Sequence, residues 1–176
     1  MLLSRDELIA VLFKETDRAQ RLKTGLAVIL CGIDGCADRL PELEARTDRD
    51  VEEEITRRIV RALRCYDSLG RFADGEYCLV LPGCNSFNAV AMAERLRQDL
   101  FSSPIVAGGE SVSLRANFGI AGSGGRSPLV VLRNAEDALR NARSRGPGAI
   151  ERSCYDAEPD PTAFPIAVVE DNSLQW

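Results

Sequence analysis

Apolar positions along the chain recur first at helical spacing, then at strand spacing, and the two patterns alternate. Leu8, Leu12, Ala19 and Leu22 fall on one helical face, and Ser4 and Glu7 stand at capping-box spacing ahead of it. A lead-in helix is therefore expected over about residues 4–22, closing near Lys23-Thr24-Gly25. Residues 26–33, LAVILCGI, form a short apolar run rich in β-branched side chains, the pattern of a buried strand. A polar stretch follows. Val51, Ile55, Ile59 and Leu63 then predict an amphipathic helix over residues 48–65, with Glu53–Arg57 and Glu54–Arg58 as i,i+4 pairs on its outer side.

The most informative local feature is SLGRFADGEYCLVLP, residues 68–82, two strand-like runs flanking Asp74-Gly75. That dipeptide between alternating apolar residues is a strong hairpin signal. Ala89, Ala93, Leu96 and Leu100 mark a third helix, and residues 111–121 read as another strand. Ser127-Pro128 supplies a cap and a first-turn proline to a last helix carrying Leu132, Ala135, Leu139 and Ala142, which Gly146-Pro147-Gly148 stops. Helices alternating with an antiparallel hairpin predict an α+β fold, one central sheet covered by helices. Residues 1–155 are read as one domain. Residues 156–176 are read as an acidic, proline-containing tail with an apolar island at 164–169.

Composition narrows the function classes. Net charge is −5, which argues against a broad electrostatic grip on DNA or RNA. Of 22 basic residues only Lys14 and Lys23 are lysines, and arginine suits bidentate contacts to phosphate and guanine. The chain has no histidine, so imidazole general-base chemistry is excluded. Its 6 cysteines lack paired CxxC spacing, which argues against zinc. Most of them sit in or beside apolar runs and read as small buried hydrophobes. No run is apolar enough to cross a bilayer, and the first residues carry interspersed charges; the cytoplasm, with reduced thiols, is the expected location.

The stretch RCYDSLGRFADGEYCLVLPG (64–83), with AMAERLRQDL (91–100), FGIAG (118–122) and AEDALRNARSRG (135–146), resembles the GGDEF family of diguanylate cyclases. The resemblance implies a nucleotidyl-cyclase-like, palm-type fold, a mainly antiparallel five-stranded sheet wrapped by helices. It also implies the activity of joining two GTP molecules into cyclic di-GMP, which needs carboxylates that hold divalent cations. Here ADGEY stands in place of the signature turn, and the resemblance aligns the family's two metal carboxylates with Gly32 and Gly75. Glu76 is kept, and Asp34 matches a second acidic position that is not the main ligand. The guanine-reading positions fall on Leu40 and Arg49, which cannot make the same hydrogen bonds. Asp74 replaces a glycine beside the polyphosphate, and Arg143 matches a phosphate-binding lysine. The resemblance thus implies a degenerate site, with no cofactor expected and Mg2+ only if the chain is an active cyclase.

A second family site, where product binds, is better kept. Its RxxD motif matches Arg64-Cys65-Tyr66-Asp67, its helical arginine matches Arg95, and Arg71 lies close enough in sequence to add positive potential. Arginine can read guanine O6 and N7, and aspartate can accept from guanine N1–H and N2–H. The bland reading is that Arg64 complements a helix end and Asp67 pairs with it or caps a turn. Glu52-Glu53-Glu54 reads as a solvated helix face, Glu42 and Glu44 as loop carboxylates, and Gly122-Ser123-Gly124-Gly125 as a plain turn. The expected function is a catalytically inactive receptor for cyclic di-GMP, with a protein partner or a homodimer as its output. The alternatives are an active diguanylate cyclase with an atypical site, and an interaction or dimerisation module that binds no nucleotide.

Overall fold

The computed structural model describes residues 1–34 and 44–156. Helix α1 (Arg5–Leu22) opens with the expected capping box: the Glu7 amide donates to Ser4 Oγ at 3.3 Å and the Ser4 amide to Glu7 Oε2 at 2.8 Å. Lys23 ends it in the left-handed conformation, φ 53°. Then come β1 (Leu26–Asp34), α2 (Glu44–Ala62), β2 (Ser68–Ala73), β3 (Glu76–Pro82) and α3 (Ser86–Phe101). A small hairpin, β4 (Ile105–Ala107) and β5 (Glu110–Val112), precedes β6 (Arg115–Gly122), α4 (Pro128–Arg145) and β7 (Ile150–Arg152).

The main sheet runs β2-β3-β1-β6-β7. All its pairings are antiparallel except β6 with β7, which is parallel. This is the α+β, palm-type arrangement expected. Three details differ from the sequence reading. The single strand expected at 111–121 is divided: β5 pairs with β4 in the small hairpin, β6 joins β1 and β7 in the main sheet, and Ser113 and Leu114 link the two outside either strand. β4–β5 and β7 are strands of 3 residues each, too short to carry a period. Helix α2 begins earlier than predicted and ends at Ala62, so Arg64 and Cys65 lie in the turn that follows it.

The pleat of β1 explains the layering. Ala27, Ile29 and Cys31 pack into the core under α2 and α3, where Ile55, Ile59, Ala93 and Leu96 cover them. Leu26, Val28 and Leu30 point the other way, into a second core with Leu8 and Leu12 of α1 and Leu132, Ala135 and Leu139 of α4. A strand buried on both faces must be apolar throughout, as LAVILC is. Each fully buried Leu or Ile contributes roughly 1.5–3 kcal/mol over an exposed one. The helices come close where the sheet lacks side chains. A Cβ on Gly70 would lie 2.8 Å from Leu8 Cβ, and one on Gly119 would collide with the backbone of Ala135 and Leu139. Glycine at 70 therefore lets α1 settle on the sheet, and glycine at 119 does the same for α4.

Candidate functional site

Two places carry the residues singled out from sequence, and they lie at opposite ends of β3. At its N-terminal end is the Asp74-Gly75 turn. Gly75 takes φ 68°, and its carbonyl accepts from the Ile33 amide at 2.8 Å, which staples the turn to the end of β1. Around it stand Asp34 and Glu76 on neighbouring strands, and Arg143 reaches across from the last turn of α4. Arg143 Nη1 donates to Glu76 Oε1 at 2.7 Å, and its Nε lies 3.7 Å from Asp34 Oδ2. That last turn is fixed by buried Asn117 of β6, whose amide donates to the carbonyls of Ala142 at 3.2 Å and Gly146 at 2.7 Å. Gly32 faces the arginine: a Cβ there would sit 2.5 Å from Arg143 Nη2. Asp74 and Arg49 are exposed, and Leu40 lies outside the described residues. Among the described residues, no three Asp, Glu, Cys or His side chains gather as a metal site.

At the C-terminal end of β3 is a cavity of about 410 Å³. It brings together Arg64 and Asp67 from the turn after α2 with Arg95 of α3, floored by Leu81 and Met92. Asp67 Oδ2 accepts from the Arg64 amide at 2.8 Å, so the carboxylate caps the turn through the backbone. The Arg64 guanidinium is exposed and donates to the Tyr66 hydroxyl at 2.9 Å, lying 5.9 Å from that ring's centroid. Arg95, also exposed, donates to Met92 Sδ at 3.1 Å and to the Ala62 carbonyl at 3.4 Å. Partial burial pushes the Asp67 carboxyl above its ordinary value, and the Arg64 amide and guanidinium only partly offset this.

Arg71 is not part of this cavity. Its Nη2 donates to Glu52 Oε2 at 2.6 Å, and it lines a separate hollow with Leu3 and Asp74 near the hairpin turn. The strand explains it: each residue from Ser68 onward moves away from the α2 end by about 3.3 Å. Sequence reasoning also missed Asn88 and Ala91, which with Met92 and Arg95 stand at i, i+3, i+4 and i+7 on one face of α3 and line the cavity. That spacing was visible in the sequence. Cys84 lines it too, half-buried, with its thiol pushed up by desolvation.

The five-stranded sheet and its helices define a nucleotidyl-cyclase-like domain. The profile of the family described as "Diguanylate cyclase, GGDEF domain" matches residues 2–148, and the chain belongs to this GGDEF family. Among solved structures, the GGDEF domain of YfiN (TpbB) from Pseudomonas aeruginosa is 23% identical with a TM-score of 0.80, covering 86% of this chain and 96% of that one. The GGDEF domain of DgcB from Caulobacter crescentus, in complex with c-di-GMP, is 17% identical with a TM-score of 0.80, covering 86% and 89%. Diguanylate cyclase SiaD in complex with its activator SiaC, from Pseudomonas aeruginosa, is 25% identical with a TM-score of 0.79, covering 86% of this chain and 58% of SiaD. A search of curated proteins finds no match. The chain is thus a diguanylate-cyclase-like domain. Among the described residues no helix is long and apolar enough to cross a membrane.

Proposed function

We propose that this domain is a catalytically inactive GGDEF module that binds cyclic di-GMP through Arg64, Asp67 and Arg95. The observation that carries the reading is their convergence on one cavity of about 410 Å³, a size suited to a small ligand. The guanidinium groups of Arg64 and Arg95 are not consumed by an ion pair with Asp67: Arg64 meets a tyrosine hydroxyl, Arg95 a thioether and a carbonyl. Both can turn to a guanine edge at small cost. The c-di-GMP complex of the DgcB domain supports the ligand class, and the complex of SiaD with its activator SiaC supports a protein partner. Loss of side-chain donors at Gly32 and Gly75 supports the absence of catalysis.

Calorimetric titration of cyclic di-GMP into the wild type and Arg64→Ala tests the reading. Saturable binding is expected in the wild type and should weaken about 10- to 100-fold in the variant, the worth of a charge-assisted hydrogen bond. No binding by the wild type would sink the receptor reading and favour an interaction module. Turnover of GTP with Mg2+ or Mn2+ would instead establish the cyclase alternative.

A further inference from the structure

We infer that Arg143 is the resident cation of the hairpin turn, and that its guanidinium excludes a divalent metal ion from this end of the sheet. Asp34 and Glu76 project from neighbouring strands toward one point, and two converging carboxylates repel unless a cation lies between them. Arg143 supplies that cation, 2.7 Å from one carboxylate and 3.7 Å from the other. Its fork can serve both at once, as a single-point ammonium cannot. Its position is built in rather than incidental. Asn117 holds the turn of α4 that carries it, and Gly32 leaves open the space its Nη2 fills.

A Mg2+ site needs as little as one or two protein carboxylates, with water or phosphate completing the shell. Asp34 and Glu76 meet that minimum, so the loss of other ligands does not by itself close the site. The arginine does. An incoming dication would have to displace a fixed positive charge from both carboxylates. The same pairing occupies Arg143, so its charge is neutralised by protein and unavailable to a phosphate. This inference is independent of ligand binding at the far end of β3, and its test involves no cyclic di-GMP.

The test is Mn2+ binding, followed by electron paramagnetic resonance, together with melting temperature in Mn2+ and in chelator. The wild type should bind no Mn2+ saturably and melt at the same temperature in both. Arg143→Ala should bind Mn2+ about tenfold more tightly or better, gain melting temperature in Mn2+, and lose both gains when Glu76→Gln is added. The inference is overturned if the wild type binds Mn2+ in a manner that Glu76→Gln abolishes, or if Arg143→Ala gains nothing. Should Arg143→Ala fail to fold, the double variant Arg143→Ala/Glu76→Gln decides. Recovery of the fold supports unbalanced carboxylates as the fault, whereas no recovery makes Arg143 a packing residue and overturns the inference.

Discussion

At Asp67 one carboxylate serves the backbone and faces the cavity, and the two roles respond differently to substitution. Asp67→Asn keeps an oxygen for the Arg64 amide but loses the charge; Asp67→Ala loses both. The alanine variant should be destabilised by about 1 kcal/mol in urea titration, as for other lost caps, and the asparagine variant by less. Both should bind cyclic di-GMP weakly. Acidity adds a signature. The folded-state pKa is raised because partial burial disfavours the charged form, and guanine recognition needs that form. Affinity should therefore fall on acidification from a pH above the ordinary aspartate range, and Asp67→Asn should flatten that slope in titrations across pH. The contribution to stability has the opposite sense: it is present below the ordinary aspartate value and lost as pH rises through the raised one. The resemblance to the family's RxxD motif and helical arginine made Arg64, Asp67 and Arg95 legible in the sequence. It could not place Arg71, whose partner Glu52 is 19 residues away and comes near only when α2 packs on the sheet. Of the two bland readings of Asp67, the turn cap is the one observed, made to the Arg64 amide rather than to the guanidinium.

Helices and hairpin were legible because each carries a period and a terminator. The capping box at Ser4, the proline at the start of α4 and the Asp-Gly turn all stand where the pattern put them, although Ser127 makes no side-chain cap bond. The short strands were not, since their existence depends on neighbours: β7 is a strand only because β6 lies beside it. The same dependence governs the glycines that seat α1 and α4. Gly119→Ala should be the costlier change, because its Cβ runs into the backbone of α4 at closer range, whereas the Cβ of Gly70→Ala comes 2.8 Å from Leu8 Cβ, which moves only with α1. A loss of about 1–3 kcal/mol is expected for Gly119→Ala and less for Gly70→Ala, read as a lowered urea midpoint. If the two prove equal, close seating of α4 is not what residue 119 provides.

Across the whole molecule the cavity depends on how α2 and α3 are held together, and Arg58 is the fastening. The i,i+4 pattern assigned it to the outer side of α2 with Glu54. The ion pair exists at 2.8 Å, but Arg58 is 8% exposed and also donates to the carbonyls of Leu100 at 3.0 Å and Ser103 at 2.7 Å. Glu54, not Glu53, is also the partner of Arg57. On a helical wheel residue 58 sits at the margin of the apolar stripe, and only the end of α3 draws it inward. Arg58→Met should cost about 3 kcal/mol in chemical denaturation, because it strands two carbonyls and leaves Glu54 to its pair with Arg57, and should weaken cyclic di-GMP binding at a distance. Asp156 is tied to the end of β6, accepting from the Gly122 amide at 2.8 Å and from Arg126 at 3.1 Å. The outer strand β2 is covered along its free margin. Leu3 bridges to Gly70, its amide donating to the Leu69 carbonyl and its carbonyl accepting from the Arg71 amide, and the register shifts between Arg71 and Ala73. The groups that could template a further strand are thus already occupied or bent aside. Copies of this domain cannot extend the sheet across that margin, so an assembly of copies does not run through β2.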